Sequence, residues 1–112
     1  MNMANTGGTQ ATLERYVPVP PAVVYPALVA AARDRFKFKG ADGFTMVVDF
    51  ASKANLLTWS ENYNAQVLPA EGGSLIRVQG ASKFNGRFEM NARLHKMVNG
   101  LFDDVIAAVR PR

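Results

Sequence analysis

The chain has 112 residues, 48% of them hydrophobic and 20% charged, with a formal net charge of +4. That length and apolar content fit one domain with its own core and exclude a wholly disordered chain. The absence of cysteine excludes disulfide frameworks, thiol chemistry and cysteine-ligated zinc. Residues 1–12 are polar, with neither the basic start nor the apolar stretch of a secretory signal. The longest apolar run, Ala27 to Ala32, is about six residues, against about 20 for a membrane span. No transmembrane segment is expected, and a soluble, cytoplasmic protein is.

Taken in chain order, residues 1–11 read as a disordered tail and residues 12–110 as a single domain. Thr12 to Val19 alternates as a first strand, with Leu13, Arg15 and Val17 on one face. Pro18, Pro20 and Pro21 end it, because proline cannot donate to a strand ladder. A first helix runs from Ala22 to about Arg35, with Val24, Leu28 and Ala31 as its apolar stripe. Pro26 is costly inside a helix, about 3 kcal/mol, so either the effective start lies near Val24, the preferred reading, or the first turn is distorted.

Phe36 and Phe38 alternate with Lys37 and Lys39 as a short strand, and Gly40-Ala-Asp-Gly43 is the expected turn. Phe44, Met46, Val48 and Phe50 then form one apolar strand face. Leu56 to Leu68 follows as a long strand, with Leu57, Trp59, Tyr63, Ala65 and Val67 on one side. Ser60, Asn62, Asn64 and Gln66 make an amide-rich opposite side. Pro69 to Gly73 closes a hairpin, and Ser74 to Ser82 returns with Ile76 and Val78 inward. Asn85-Gly86 breaks the pattern, and Arg87 to Val109 reads as one long helix with apolar positions three and four apart.

The fold class is therefore α+β: an antiparallel sheet of about five strands, with a short helix and a long C-terminal helix on one face. The order is β-α-β-β-β-β-α, in two layers. The string Val17-Pro-Val-Pro-Pro-Ala-Val-Val-Tyr25 resembles the strand-to-helix entry of helix-grip proteins, the START-like or polyketide-cyclase-like superfamily. Leu57-Thr-Trp-Ser-Glu-Asn62, Gly72-Gly73 and Val78-Gln-Gly-Ala-Ser-Lys83 resemble small uncharacterised bacterial domains of the same order, of helix-grip or TBP-like fold. Ser60 stands where that group tends to have glycine, and the long helix starts without its Asp-Trp-Gly-Lys-Asn run. The resemblance implies a fold and brings no activity with it.

Catalytic chemistry finds little support. His95 is the one histidine and sits on the flank of the long helix's stripe. The nine carboxylates are scattered, and Asp103-Asp104 point apart on a helix. No catalytic residue, metal site or cofactor is expected, and the chain reads as non-enzymatic. Two basic groups, Arg33, Arg35, Lys37 and Lys39, and Lys83, Arg87, Arg93 and Lys96, would have to converge to bind an anionic surface. Aromatic residues do not interleave them, so nucleic acid is not the expected partner.

The leading expectation is an apolar or amphipathic small molecule, of lipid type, held between the sheet and the long helix. Phe44, Met46, Phe50, Trp59, Tyr63, Met90, Leu94 and Val98 would line its site. The rival expectation is an interaction or homo-oligomerisation module that uses the exposed sheet face.

Overall fold

The computed structural model describes residues 9–53, 61–82 and 87–110. Within them the order is β1 (Thr9–Val17), α1 (Pro21–Arg35), β2 (Lys37–Asp42), β3 (Val47–Ala51), β4 (Glu61–Ala70), β5 (Gly73–Ser82) and α2 (Arg87–Val109). The sheet is antiparallel throughout, with hydrogen-bonded order β1-β5-β4-β3-β2. Helix α1 lies against β2, β3 and β4, and α2 lies along α1 and β1. The expected α+β class and element order therefore hold. Strand β1 starts at Thr9, so the expected tail boundary at residue 11 falls inside the strand.

Alternation decides which face is buried. Tyr63, Ala65 and Val67 of β4 and Ile76 and Val78 of β5 are all buried under the helices. Their neighbours form the open face, where side chains bond one another. Asn64 Nδ2 donates to Asp49 Oδ1 at 2.7 Å, Lys39 Nζ to Asn62 Oδ1 at 3.2 Å, and Arg77 Nε to Glu14 Oε2 at 2.6 Å. The amide-rich strand face is thus largely occupied by its own cross-strand bonds.

The entry to α1 is fixed by a close backbone approach. A Cβ on Gly73 would fall 2.7 Å from Pro18 Cα and nearer still to the Val17 carbonyl oxygen. Only glycine fits there. The next residue, buried Ser74, donates from its hydroxyl to the Val19 carbonyl at 2.6 Å. The chain then turns into α1 at Pro21, with Pro20 as N-cap. The helix starts at Pro21 rather than near Val24 and carries Pro26 within it, a correction to the preferred sequence expectation. Pro26 is exposed, so the carbonyl that loses its partner lies on the solvent side, where water can bond it.

The second correction concerns the β2–β3 hairpin. Its turn is residues 43–46, not 40–43, because β2 continues through Asp42 with a register shift between Phe38 and Gly40. The strand expected from Phe44 begins only at Val47. Phe44 is 95% exposed, and Met46 takes φ 58°, a left-handed conformation rare outside glycine. Hydrogen bonds hold this turn: Asp42 Oδ1 accepts from Phe44 N–H at 3.0 Å, and the Thr45 and Met46 carbonyls accept from Gln66 and Val67. Tyr25 of α1 donates its hydroxyl to the Val47 carbonyl at 3.0 Å. Partial burial and the nearby Asp42 carboxylate hold this phenol above its ordinary pKa, so it stays protonated and able to donate.

The core lies between the sheet and both helices. Phe36, Phe50 and Tyr63 form an aromatic trio, with ring centroids 4.6 Å apart for Phe36–Phe50 and 5.4 Å for Phe50–Tyr63. Val98, Leu101, Phe102 and Val105 of α2 complete the buried cluster with Leu28 and Val24 of α1. Arg35 at the end of α1 lies across Gly100 and pairs with Asp104 of α2 through two hydrogen bonds. The guanidinium hydrogen bond holds the Asp104 carboxyl below its usual pKa.

Two measurements test this packing. Phe50→Ala empties the centre of the aromatic trio and should cost about 3–5 kcal/mol in a urea melt. A cost below about 1 kcal/mol would mean that the site collapses freely and is not close-packed. Asp104→Asn tests the ion pair. Because the folded pKa is depressed, its stabilisation is present above the unfolded value, about 3.9, and is lost as pH falls through the folded value. Both side chains are more than one-third exposed, 41% and 37%. The loss at neutral pH should therefore be only about 0.2–1 kcal/mol, and the difference from the parent should close in acid. A gap that persists below the folded pKa would contradict the pairing.

Candidate functional site

The inner face of the sheet grades in size along one cross-strand row. Phe38 pairs with Phe50, Phe50 with Tyr63, Tyr63 with Gly80, and Gly80 with Ala11. Three aromatic positions on β2, β3 and β4 are followed by glycine and alanine on β5 and β1. The aromatic side of this row lies under α1, and the small side belongs to the strands that α2 covers.

On the aromatic side there is no room. Phe50 and Val98 have no exposed surface and Tyr63 has 3%, so not even a water-sized void touches the first two. The Tyr63 hydroxyl faces the Met97 sulfur at 3.9 Å, which places a phenol and a flexible thioether where the aromatic trio ends. Gly80 is buried beside them and adds no side chain. At the β1 edge, Arg15 points inward, donates to Asn99 Oδ1 at 3.3 Å and lies 4.9 Å from the centre of the Phe102 ring. This cation closes the crevice between β1 and α2.

The residues expected to line a site are distributed as follows. Phe50, Tyr63 and Val98 come together within one buried cluster. Met46 packs against that cluster from the hairpin turn, half-buried. Phe44 does not join them; the turn at 43–46 puts its ring into solvent, which removes it from any interior lining. Trp59 lies outside the described residues, as do the side chains of Met90 and Leu94. Sequence reasoning passed over Phe36, Phe102, Met97 and Gly80. Phe36 was legible as the residue that follows a helix, but Gly80 carries no local signal, because its meaning depends on which residues pair with it.

Several of the described basic residues have local partners. Arg35 is neutralised by Asp104, and Arg33 stacks over the Phe38 ring at 3.8 Å on the helix side. Lys39 binds Asn62 on the open sheet face, Lys37 is exposed, and Lys96 is exposed on α2. Lys83 and the side chains of Arg87 and Arg93 lie outside the described residues. His95 is exposed on α2. Among the described residues no three His, Asp or Glu side chains lie together as a metal site would require. Also among them, no helix is long and apolar enough to cross a membrane.

No family model matches the chain, and no curated protein matches it in sequence. Its backbone is similar to the crystal structure of Ara h 8.0201, with a TM-score of 0.70 at 15% identity. That similarity covers 90% of this chain and 97% of the other. The chain, a five-stranded antiparallel sheet with two helices, thus has a helix-grip-like, Bet v 1-like fold.

Proposed function

We propose that the protein binds an apolar or amphipathic small molecule between α2 and the small-residue side of its sheet. The observation that carries this reading is the row Phe38–Phe50–Tyr63–Gly80–Ala11, where bulk ends at Tyr63 while the covering helix continues. Other inner positions of β5 and β1 carry Ile76, Val78 and Leu13, so the small residues are confined to the Gly80–Ala11 end of these strands. Glycine inside a strand weakens it, and one use of that cost is the close approach of another molecule. The helix-grip fold supports the same reading by analogy, because its long helix and sheet can part around a guest. Trp59, Met90 and Leu94 remain proposed lining residues, and Phe50, Tyr63 and Val98 form the solid wall rather than the space.

The guest would be held by contact with apolar and sulfur-bearing side chains, with the Tyr63 hydroxyl as the nearest polar group. Binding therefore selects for shape and low polarity and needs no chemistry from the protein. Two measurements test the proposal on the intact chain. Native mass spectrometry of protein purified without denaturation should reveal an added mass of lipid size. Titration with the dye anilinonaphthalene sulfonate should give saturable fluorescence that the natural guest displaces.

Gly80→Leu should fill the space. It is expected to abolish both signals while changing stability by less than about 1 kcal/mol. If that substitution instead destabilises the fold by about 1–3 kcal/mol, as overpacking does, and the parent protein carries no adduct, the interior is full and the proposal fails.

A further inference from the structure

A charge stands on the covered face of the sheet. The inner side of β1 runs Leu13, Arg15, Val17, so an arginine sits beside α2 between a half-buried leucine and a buried valine. Glu14, its neighbour in sequence, points to the open face and pairs with Arg77 at 2.6 Å. Asp103, one turn after Asn99 on α2, is exposed, and no ion pair joins it to Arg15. Arg15 is therefore a half-buried cation with no carboxylate partner among the described residues. Taking even part of a charge out of water without a counter-charge is costly.

The groups that touch Arg15 leave its hydrogen-bonding edge largely free. The guanidinium lies 4.9 Å from the centre of the Phe102 ring and donates one bond, to Asn99 Oδ1 at 3.3 Å. A guanidinium carries five N–H donors in a planar fork, and a ring against its face consumes none of them. That fork matches a carboxylate in shape as well as in charge. Asn99 lies two residues, about 3 Å along the helix, beyond Met97, whose sulfur faces Tyr63 where the aromatic wall ends. Along β1, Arg15 is four residues from Ala11, about 13 Å at the strand rise, with Leu13 between them. A cation thus stands at the β1 edge, and the small residues of the proposed interior space lie further along the same strand.

We propose that Arg15 is the headgroup site of the guest. The molecule held between α2 and the sheet is an anionic amphiphile whose carboxylate binds the Arg15 fork, while its chain runs past Leu13 toward Gly80. The assignment rests on the interior site proposed above and narrows its guests from apolar or amphipathic molecules to chain carboxylates. Asn99 and the Phe102 ring hold the guanidinium in place. The chain supplies affinity through the apolar surface it removes from water, and the head fixes which end enters.

The test is displacement of an uncharged dye, Nile red, from the intact chain at pH 7 by decanoate and by decanol. The two compounds share a chain and differ in the head, so the ratio of their Kd values isolates the head. Arg15→Gln should shift that ratio at least about tenfold against decanoate and leave decanol binding within about twofold, as loss of hydrogen bonds to a charged group does. Arg15→Lys keeps the charge without the fork and should recover part of the shift. Arg77→Gln removes the same charge from the open face and should leave the ratio unchanged. Thermal melts check that each variant folds. An unchanged ratio in Arg15→Gln would overturn the head assignment and leave the interior site standing. If that variant also aggregated, Arg15 would instead be an inward charge that guards the β1 edge. Equal loss of both compounds would overturn the assignment too, because Arg15 would then shape the space rather than bind the head. If the parent chain takes up no dye, or neither compound displaces it, the interior site fails and the head assignment with it.

Discussion

The approach of Gly73 to the end of β1 sets the position of nearly everything else. Without a Cβ at that point, the Val17–Pro18 backbone can sit directly on the start of β5, and Ser74 can hold the Val19 carbonyl. The two prolines that follow fix the backbone at the helix entry, so α1 leaves in one direction and with one rotation. That rotation turns Val24, Leu28, Ala31 and Ala32 toward the sheet and Tyr25 toward the β2–β3 hairpin. Once Tyr25 binds Val47, the hairpin is fixed against α1, and the aromatic trio closes beneath. The space left to α2 is what remains under the other side of the sheet.

Residue patterns made some of this legible and concealed the rest for a definable reason. The alternation in Tyr63–Val67 and Ile76–Val78 and the spacing in Arg87–Val109 report one neighbour relation repeated many times, so they survive any local irregularity. The β2–β3 hairpin fails that condition. Phe44, Met46, Val48 and Phe50 alternate without a break, yet only the last two are fully buried. The shift between Phe38 and Gly40 displaces the pairing, and the turn slides from a glycine-bounded segment to one where Met46 adopts the left-handed conformation. Nothing within 43–46 announces that, because the cause lies in Asp42, Gln66 and Tyr25, which grip the turn from elsewhere. Gly80 is hidden in the same way: it acquires meaning only from Tyr63 and Ala11 beside it.

Charge illustrates the difference between composition and surface. A sequence pI near 9.8 suggests an anion-binding protein. The fold assigns many of those cations other work. Arg35 bridges the helices, Arg15 and Arg33 lie over aromatic rings, Lys39 and Arg77 bond across the open sheet, and Lys53 donates to the Asp34 carbonyl near the end of α1. A guanidinium spread over a ring still covers apolar surface with its stem, so these residues contribute as packing as well as charge. A pI read from composition therefore counts charges that already have local tasks in the fold.

Helix α1 is pressed on one side onto the core and open on the other to solvent. Its inner face is pressed onto Phe36, Phe50 and Tyr63, a block with almost no exposed surface, and close-packed cores resist small displacements. A guest seated over Gly80 would push on α2 rather than on α1, because the aromatic block stands between Gly80 and the hairpin. An open groove lined by Ala27, Ala30 and Ala31, with Asp34, has α2 for its second wall, through Asp104, Ala107 and Ala108. Any shift of α2 that admits a guest would therefore be felt at the groove, while the Arg35–Asp104 bridge at Gly100 resists separation of the two helices.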